Sequence, residues 1–308
     1  GSEMCIRDSY IFMSLANASD LISSWTANGG SLDATDVSTI QGNASDIESL
    51  YNSSGITGLG NEDIILFYSI PTAALLKRLE TYTSGTINAQ YLTSIKGKAS
   101  DLIIIYSSSG ITGLGNEAIN ITSGSATTSQ ANTLAAATSG IVTANISEGD
   151  MTTLAGLNET VNAYSITITD NSVAASVLNT LNSKTTVAVN ATAVTTITGT
   201  AADIITVYTA NAAGTITGLD NDVVILTDTS ISAANLLAID AYPYTTGVVN
   251  AVAVNTITGT GADLMLAYTA NEAGSISGLG NEEITANDSI TVAQFNYLAA
   301  NNDGIITA

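Results

Sequence analysis

Apolar residues in this chain recur at helical spacing in short stretches, and β-branched runs lie between them. Ile204, Val207 and Tyr208 follow Asp203, and Leu264, Ala267 and Tyr268 follow Asp263, which places each apolar set on one face of a helix. Ala175, Leu178 and Leu181 share a face in the same way, as do Ala233, Leu236 and Ile239. The runs TINA (86–89), TTITG (195–199), VVILTD (223–228), VVNA (248–251) and NTITG (255–259) read as short strands. The order is strand, helix, strand, helix, and the two halves look alike: TGTAADIITVY and TDTSISAANLLAI both set a small polar residue before paired alanines and large aliphatics. Each half, about 27 to 30 residues, is then one coil of a stacked structure.

The pattern repeats along the chain. ITGLGNE at 56–62 returns at 111–117, as ITGLDND at 216–222 and as ISGLGNE at 276–282. Ile56 to Ile111 is 55 residues, and Ile216 to Ile276 is 60. The excess lies where YSSSGI (106–111) becomes YTANAAGTI (208–216) and YTSG (82–85) becomes YPYTTG (242–247), polar and Gly-rich ends where loops absorb insertions. Units fall near 14–55, 56–110, 111–157, 158–215 and 216–275, with a partial unit at 276–308. Between Asn145 and Ser165 two registers compete: TTLAGLNE (152–159) imitates the conserved slot, while ETVNAY (159–164) resembles a helix. Both ends read as cuts through a longer array.

Boundary residues support the helices. Thr200 with Asp203, Thr260 with Asp263 and Asn43 with Asp46 are N-cap and first-turn acid pairs, each worth about 1 kcal/mol. Lys98 with Asp101 breaks the pattern, because a lysine cannot accept the capping bond. Ser69, Ser172, Ser230 and Ser289 are expected to cap the second helix of the unit, with Pro71 in a first turn. Gly55, Gly110, Gly214 and Gly274 fall where a left-handed helix end is wanted.

The expected fold is α/β: an αβ-solenoid of about five units with parallel strands, two βα coils to the unit. Strands pack about 4.8 Å apart and helices about 8 to 10 Å, so the expected arrangement sets the two helix types on opposite faces of one sheet. Right-handed crossovers on opposite faces advance in opposite directions, which would demand a skipping strand order.

Composition narrows the activities. The chain has no histidine and one cysteine, and residues 1–13 stand apart: Gly1-Ser2 resembles a cloning remnant and MCIRDS (4–9) a translated sequencing adapter, so Cys5 and Arg7 carry no information. Without them, Ser-His-Asp catalysis, His-based zinc sites and cysteine nucleophiles are excluded. With 27 acids against 6 bases the net charge is −21, which makes nucleic acid and anionic membrane poor partners. No stretch is apolar for long enough to span a bilayer.

Repeated polar residues remain as candidates. Asp46, Asp101, Asp203 and Asp263 read as helix-start acids. Glu62, Glu117, Asp222 and Glu282 could form a calcium ladder, but the simpler reading is that Asn61, Asn116, Asn221 and Asn281 satisfy a turn while the acids face water. Tyr51, Tyr106, Tyr208 and Tyr268 could form an aromatic strip for sugar rings, or close the core with hydroxyls in water. Thr196-Ile197-Thr198 and Thr256-Ile257-Thr258 evoke ice-binding arrays but precede helices. No catalytic, cofactor or metal residue is assigned.

The combination GITGLGNE, SISAANLL, TTGVVNA and TITGTAAD resembles tandem repeats in very large secreted or surface proteins of marine bacteria, cyanobacteria among them, and is similar to the αβ-solenoid repeat class. The resemblance covers most of residues 14–308. It implies an extracellular spacer, adhesin stalk or surface-layer segment whose partners are adjacent repeats or another copy end to end. The alternative is a calcium- or glycan-binding repeat module.

Overall fold

The computed structural model describes residues 14–67, 69–220, 222–242 and 247–308. Residues 1–13, Asn221 and most of the YPYTTG insertion lie outside the described residues. The chain divides into two compact units, one of residues 14–147 with 161–164, the other of residues 148–160 with 165–308.

In the first unit the strands Leu15–Asn17, Thr39–Gly42, Asp63–Leu66, Ile87–Asn88 and Ile111–Thr112 form one sheet in sequence order. They pair in parallel with Leu15 beside Thr39, Thr39 beside Asp63, Ile64 beside Ile87 and Ile87 beside Ile111, steps of 24, 24, 23 and 24 residues. A second sheet carries Ser94–Gly97, Ala118–Ile121, Val142–Asn145 and Ala163–Ser165. In the second unit Ser172–Ala174, Thr196–Gly199, Val223–Leu226, Val249–Asn250 and Ile276–Ser277 form a parallel sheet with steps of 24, 27, 25 and 27 residues. Ser230–Ser232, Thr256–Gly259, Glu283–Ala286 and Ile306–Thr307 form another. The molecule is α/β with parallel strands, and in each pairing above the partner comes from the following coil. No skipping order is needed.

Eleven helices are described: α1 (Ala18–Ala27), α2 (Ala44–Tyr51), α3 (Ala73–Tyr82), α4 (Ala99–Ser107), α5 (Thr128–Ala137), α6 (Met151–Leu154), α7 (Ala175–Asn182), α8 (Ala201–Ala212), α9 (Ala233–Asp240), α10 (Gly261–Ala273) and α11 (Val292–Asn301). Within each unit every helix packs on the next in sequence, α1 through α5 in one and α6 through α11 in the other. This corrects the expectation of two helix types on opposite faces, which would pair each helix with the next but one. The spacing mismatch is met differently. Each long sheet begins with strands that precede helices, such as Thr39–Gly42, and continues with short strands that follow them, such as Ile87–Asn88. A sheet therefore runs beside the helix row for only five strands before the next takes over.

Helix faces follow the apolar spacing. Ala73, Leu76 and Leu79 are buried in α3, Ala175, Leu178 and Leu181 in α7, and Ala233, Leu236 and Ile239 in α9. Asn43, Thr200 and Thr260 accept from the amides of Asp46, Asp203 and Asp263, and Lys98 makes no capping bond. The serine caps are displaced. The N-caps are Thr72, Ala174, Ser232 and Thr291, while Ser172 and Ser230 sit in strands and Pro71 precedes the cap. The coil continues as strand for two or three residues longer than cap chemistry alone indicates, because those residues pair with the next coil: Ser230 lies beside Thr256.

The insertion YTANAAGTI is absorbed as helix and not as loop, so α8 and α10 run to 12 and 13 residues where α4 has nine. Gly214 and Gly274 adopt φ of +74° and +86° after these longer helices. Gly55 and Gly110 do not; a Cβ there would meet Gly30 O at 1.7 Å and Glu80 Oε1 at 2.6 Å, so close approach is what requires glycine. In the irregular stretch a four-residue helix, α6, is capped by Asp150, and Ala163–Ser165 is a strand. The helix is shortened there, and ETVNAY is not helical.

Candidate functional site

The repeated acid of ITGLGNE lies inside the protein. Glu62, Glu117, Asp222 and Glu282 are at most 3% exposed, whereas the described neighbours Asn61, Asn116 and Asn281 are exposed. This reverses the expectation that asparagine satisfies the turn and the acid faces water. The cause is a set of donors assembled around the carboxylate.

In the first copy the Gly60 amide donates to both Glu62 oxygens at 2.9 Å, and the Tyr51 hydroxyl donates to Oε2 at 2.7 Å. The turn after Ile56-Thr57 folds the carboxylate back onto its own amides, while α2 ends at Tyr51 and points the phenol at it. The backbone oxygen of Glu62 accepts from Thr83 Oγ1 at 2.6 Å, and Thr83 ends α3, in the following coil. Gly85 lies over the same oxygen; a Cβ there would come within 2.3 Å of it. Thus one acid joins its own turn, the helix before it and the helix after it.

The arrangement recurs as a rung. Glu117 takes the Gly115 and Asn116 amides and the Tyr106 hydroxyl, and its carbonyl accepts from Thr138 Oγ1 at 2.7 Å. Glu282 takes the Gly280 amide at 2.8 Å and the Tyr268 hydroxyl at 2.7 Å. There Asn302 replaces the threonine, accepting from the Glu282 amide and donating to its carbonyl, both at 2.9 Å. Desolvation, and then the bond to the acid, push the hydroxyls of Tyr51, Tyr106 and Tyr268 above the usual phenol range. These phenols are donors to a buried carboxylate, which corrects the expectation that their hydroxyls sit in water.

The third rung differs. Aspartate replaces glutamate, and one methylene fewer leaves both Asp222 Oδ2 and Tyr208 Oη buried without a partner. Burial, and then the charge of Asp220, push the Asp222 carboxyl up to about 6. The Tyr242 ring stacks at 4.9 Å from Tyr208, and its hydroxyl donates to the Tyr208 carbonyl.

The helix-start acids behave as caps, with Thr200 and Thr260 hydroxyls donating to Asp203 and Asp263 at 2.8 Å. Asp101 instead pairs with Lys77 at 2.7 Å. Sequence reasoning missed a further set: Asp170, Asp228 and Asp288 accept from the first amides of α6, α8 and α10, each a coil earlier, at 2.6, 2.7 and 2.8 Å. The signal was present as the D of VVILTD, but it names no partner until the coils stack.

Chemically, the rung holds a buried carboxylate in place with phenol and amide donors. Among the described residues no three acids converge into a metal-binding group, and each rung acid sits with its own donors. No described helix is long and apolar enough to cross a membrane. No family model matches the chain, and a search of curated proteins finds no match.

Proposed function

We propose that the chain is a non-catalytic structural repeat module: a solenoid run of about five units of roughly 55 residues. It serves as spacer, stalk or adhesive segment of a large bacterial surface or secreted protein. The observation that supports this reading is the rung itself. Glu62, Glu117 and Glu282 engage tyrosine and glycine donors of the same repeat, so their buried charge is spent on joining coils. Residues that recur in every unit with the same internal partners answer to the fold and not to a ligand. Adjacent repeats of the parent protein, or another copy end to end, are the partners of such a module, and its setting is extracellular.

Thermal unfolding in chelator and in millimolar calcium tests the reading. The expected result is one melting temperature in both. A rise of many degrees with calcium would establish the calcium-binding alternative instead, because a ligand that binds only the folded state stabilises it by mass action.

A further inference from the structure

We propose that the outward surface of residues 67–72 and 91–98 is a binding site for an anionic glycan. Residues that serve the fold recur from unit to unit, and four residues on this surface do not. Phe67 stands where the other copies have Thr122, Thr227 and Asn287, and Tyr91 where they have Asp36, Ala193 and Ala253. Lys96 replaces Gln41, Thr198 and Thr258, and Lys98 replaces Asn43, Thr200 and Thr260.

Stacking brings them together. The two segments lie side by side one coil apart: the rings of Phe67 and Tyr91 are 5.2 Å apart, Thr72 bridges Lys96, and the Lys96 amide donates to the Pro71 carbonyl at 3.1 Å. Tyr91 is 42% and Ile70 57% exposed, and both lysines are exposed. Lys77 and Arg78 nearby are neutralised by Asp101 and Glu48, whereas Lys96 and Lys98 have no ion-pair partner among the described residues.

Lys98 also works against its helix. It occupies the N-cap of α4 with no capping bond, where Asn43, Thr200 and Thr260 each make one, and sets a positive charge at the positive end of the helix dipole. A residue that breaks a local rule without a structural return marks a place answering to something outside the fold.

The chemistry selects the ligand. An exposed aromatic face packs on the C–H face of a sugar ring, and two ammonium groups take carboxylates or sulfates. A net charge of −21 repels a densely charged polyphosphate, which two lysines do not offset. A polymer with one charge to a ring matches two lysines beside one aromatic pair.

Calorimetric titration of the full chain tests this. The probes are an oligogalacturonate and a chondroitin sulfate oligosaccharide, with methyl-esterified oligogalacturonate and polyglutamate as controls. Binding is expected to at least one of the two charged glycans and to weaken with added salt, with little binding of the ester or polyglutamate. The double variant Lys96→Thr, Lys98→Thr should lose about tenfold in affinity, as two partly exposed ion pairs. Tyr91→Ala should also weaken binding. All three substitutions install residues already present in equivalent coils, so folding is not at risk. Lys98→Thr should raise the melting temperature by about 2 °C by restoring the cap. The proposal is overturned if neither charged glycan binds, if polyglutamate binds as well as they do, or if the double variant binds unchanged. None of these outcomes alters the structural reading of the rungs.

Discussion

Tyr208 and Asp222 occupy the positions of a bonded pair and do not bond: both end atoms are buried without partners, whereas Tyr51, Tyr106 and Tyr268 each donate to a glutamate. The difference is one methylene in the acid. It makes this rung the weak member of the set and the place where substitution is most informative.

Asp222→Glu should restore the bond and stabilise the second unit by about 1 kcal/mol, the usual net worth of a buried hydrogen bond. Urea unfolding measures it. A loss of stability would mean that the surroundings of Asp222 have closed over the space the longer side chain needs.

The same rung carries a pH dependence opposite in sign to that of ordinary acids. The Asp222 carboxyl is raised from 3.8 to about 6 by burial and then by Asp220, so the folded state binds this proton more tightly than the unfolded state does. Its ionised form destabilises at neutral pH, and that penalty is relieved as pH falls through about 6. The melting temperature of the natural chain should rise relative to Asp222→Asn between roughly pH 7.5 and pH 5. Parallel curves for the two proteins across that window would remove Asp222 as the cause.

Phenol deletions should separate the rungs. Tyr51→Phe takes a donor from buried Glu62 and should cost about 1 to 3 kcal/mol. Tyr208→Phe removes a hydroxyl that has no partner and should be neutral or stabilising. Equal losses in denaturant unfolding would show that ring packing, and not the hydroxyl, holds these positions.

Gly140→Ala should be severe. A Cβ there would lie 2.3 Å from the Glu117 carbonyl oxygen, which is fixed by Thr138, so the chain must shift at the junction of two coils. A loss of at least about 2 kcal/mol is expected. A neutral result would show that this turn yields more easily than its bonding indicates.

Helix α11 should open first in its unit. Of its residues only Leu298 is buried, and Val292 is 79% exposed where the equivalent Ala233 of α9 is fully buried. Amide hydrogen exchange should find α11 less protected than α8 and α9. Slower exchange in α11 would mean that its capping box, Thr291 with Gln294, outweighs the missing cover.

The sequence by itself determined the helices, the short strands, their order and the recurrence of the unit, because those depend on spacing and on caps that bond within a few residues. Thr200 and Asp203 meet because they are three residues apart, and the apolar face of α9 is readable as Ala233, Leu236 and Ile239. What depends on residues one coil away was not legible. The choice of Glu62 over Asn61 for the interior rests on Tyr51, 11 residues back, and on Thr83, 21 residues ahead, which meet only when the coil has closed. The single row of helices in each unit rests on how sheets hand over from strands before the helix to strands after it, which spacing rules for an ideal sheet do not contain. Only the tertiary structure decided where each repeated polar residue finds its partner, because a polar group far from any local donor is buried or exposed according to what the neighbouring coil brings to it.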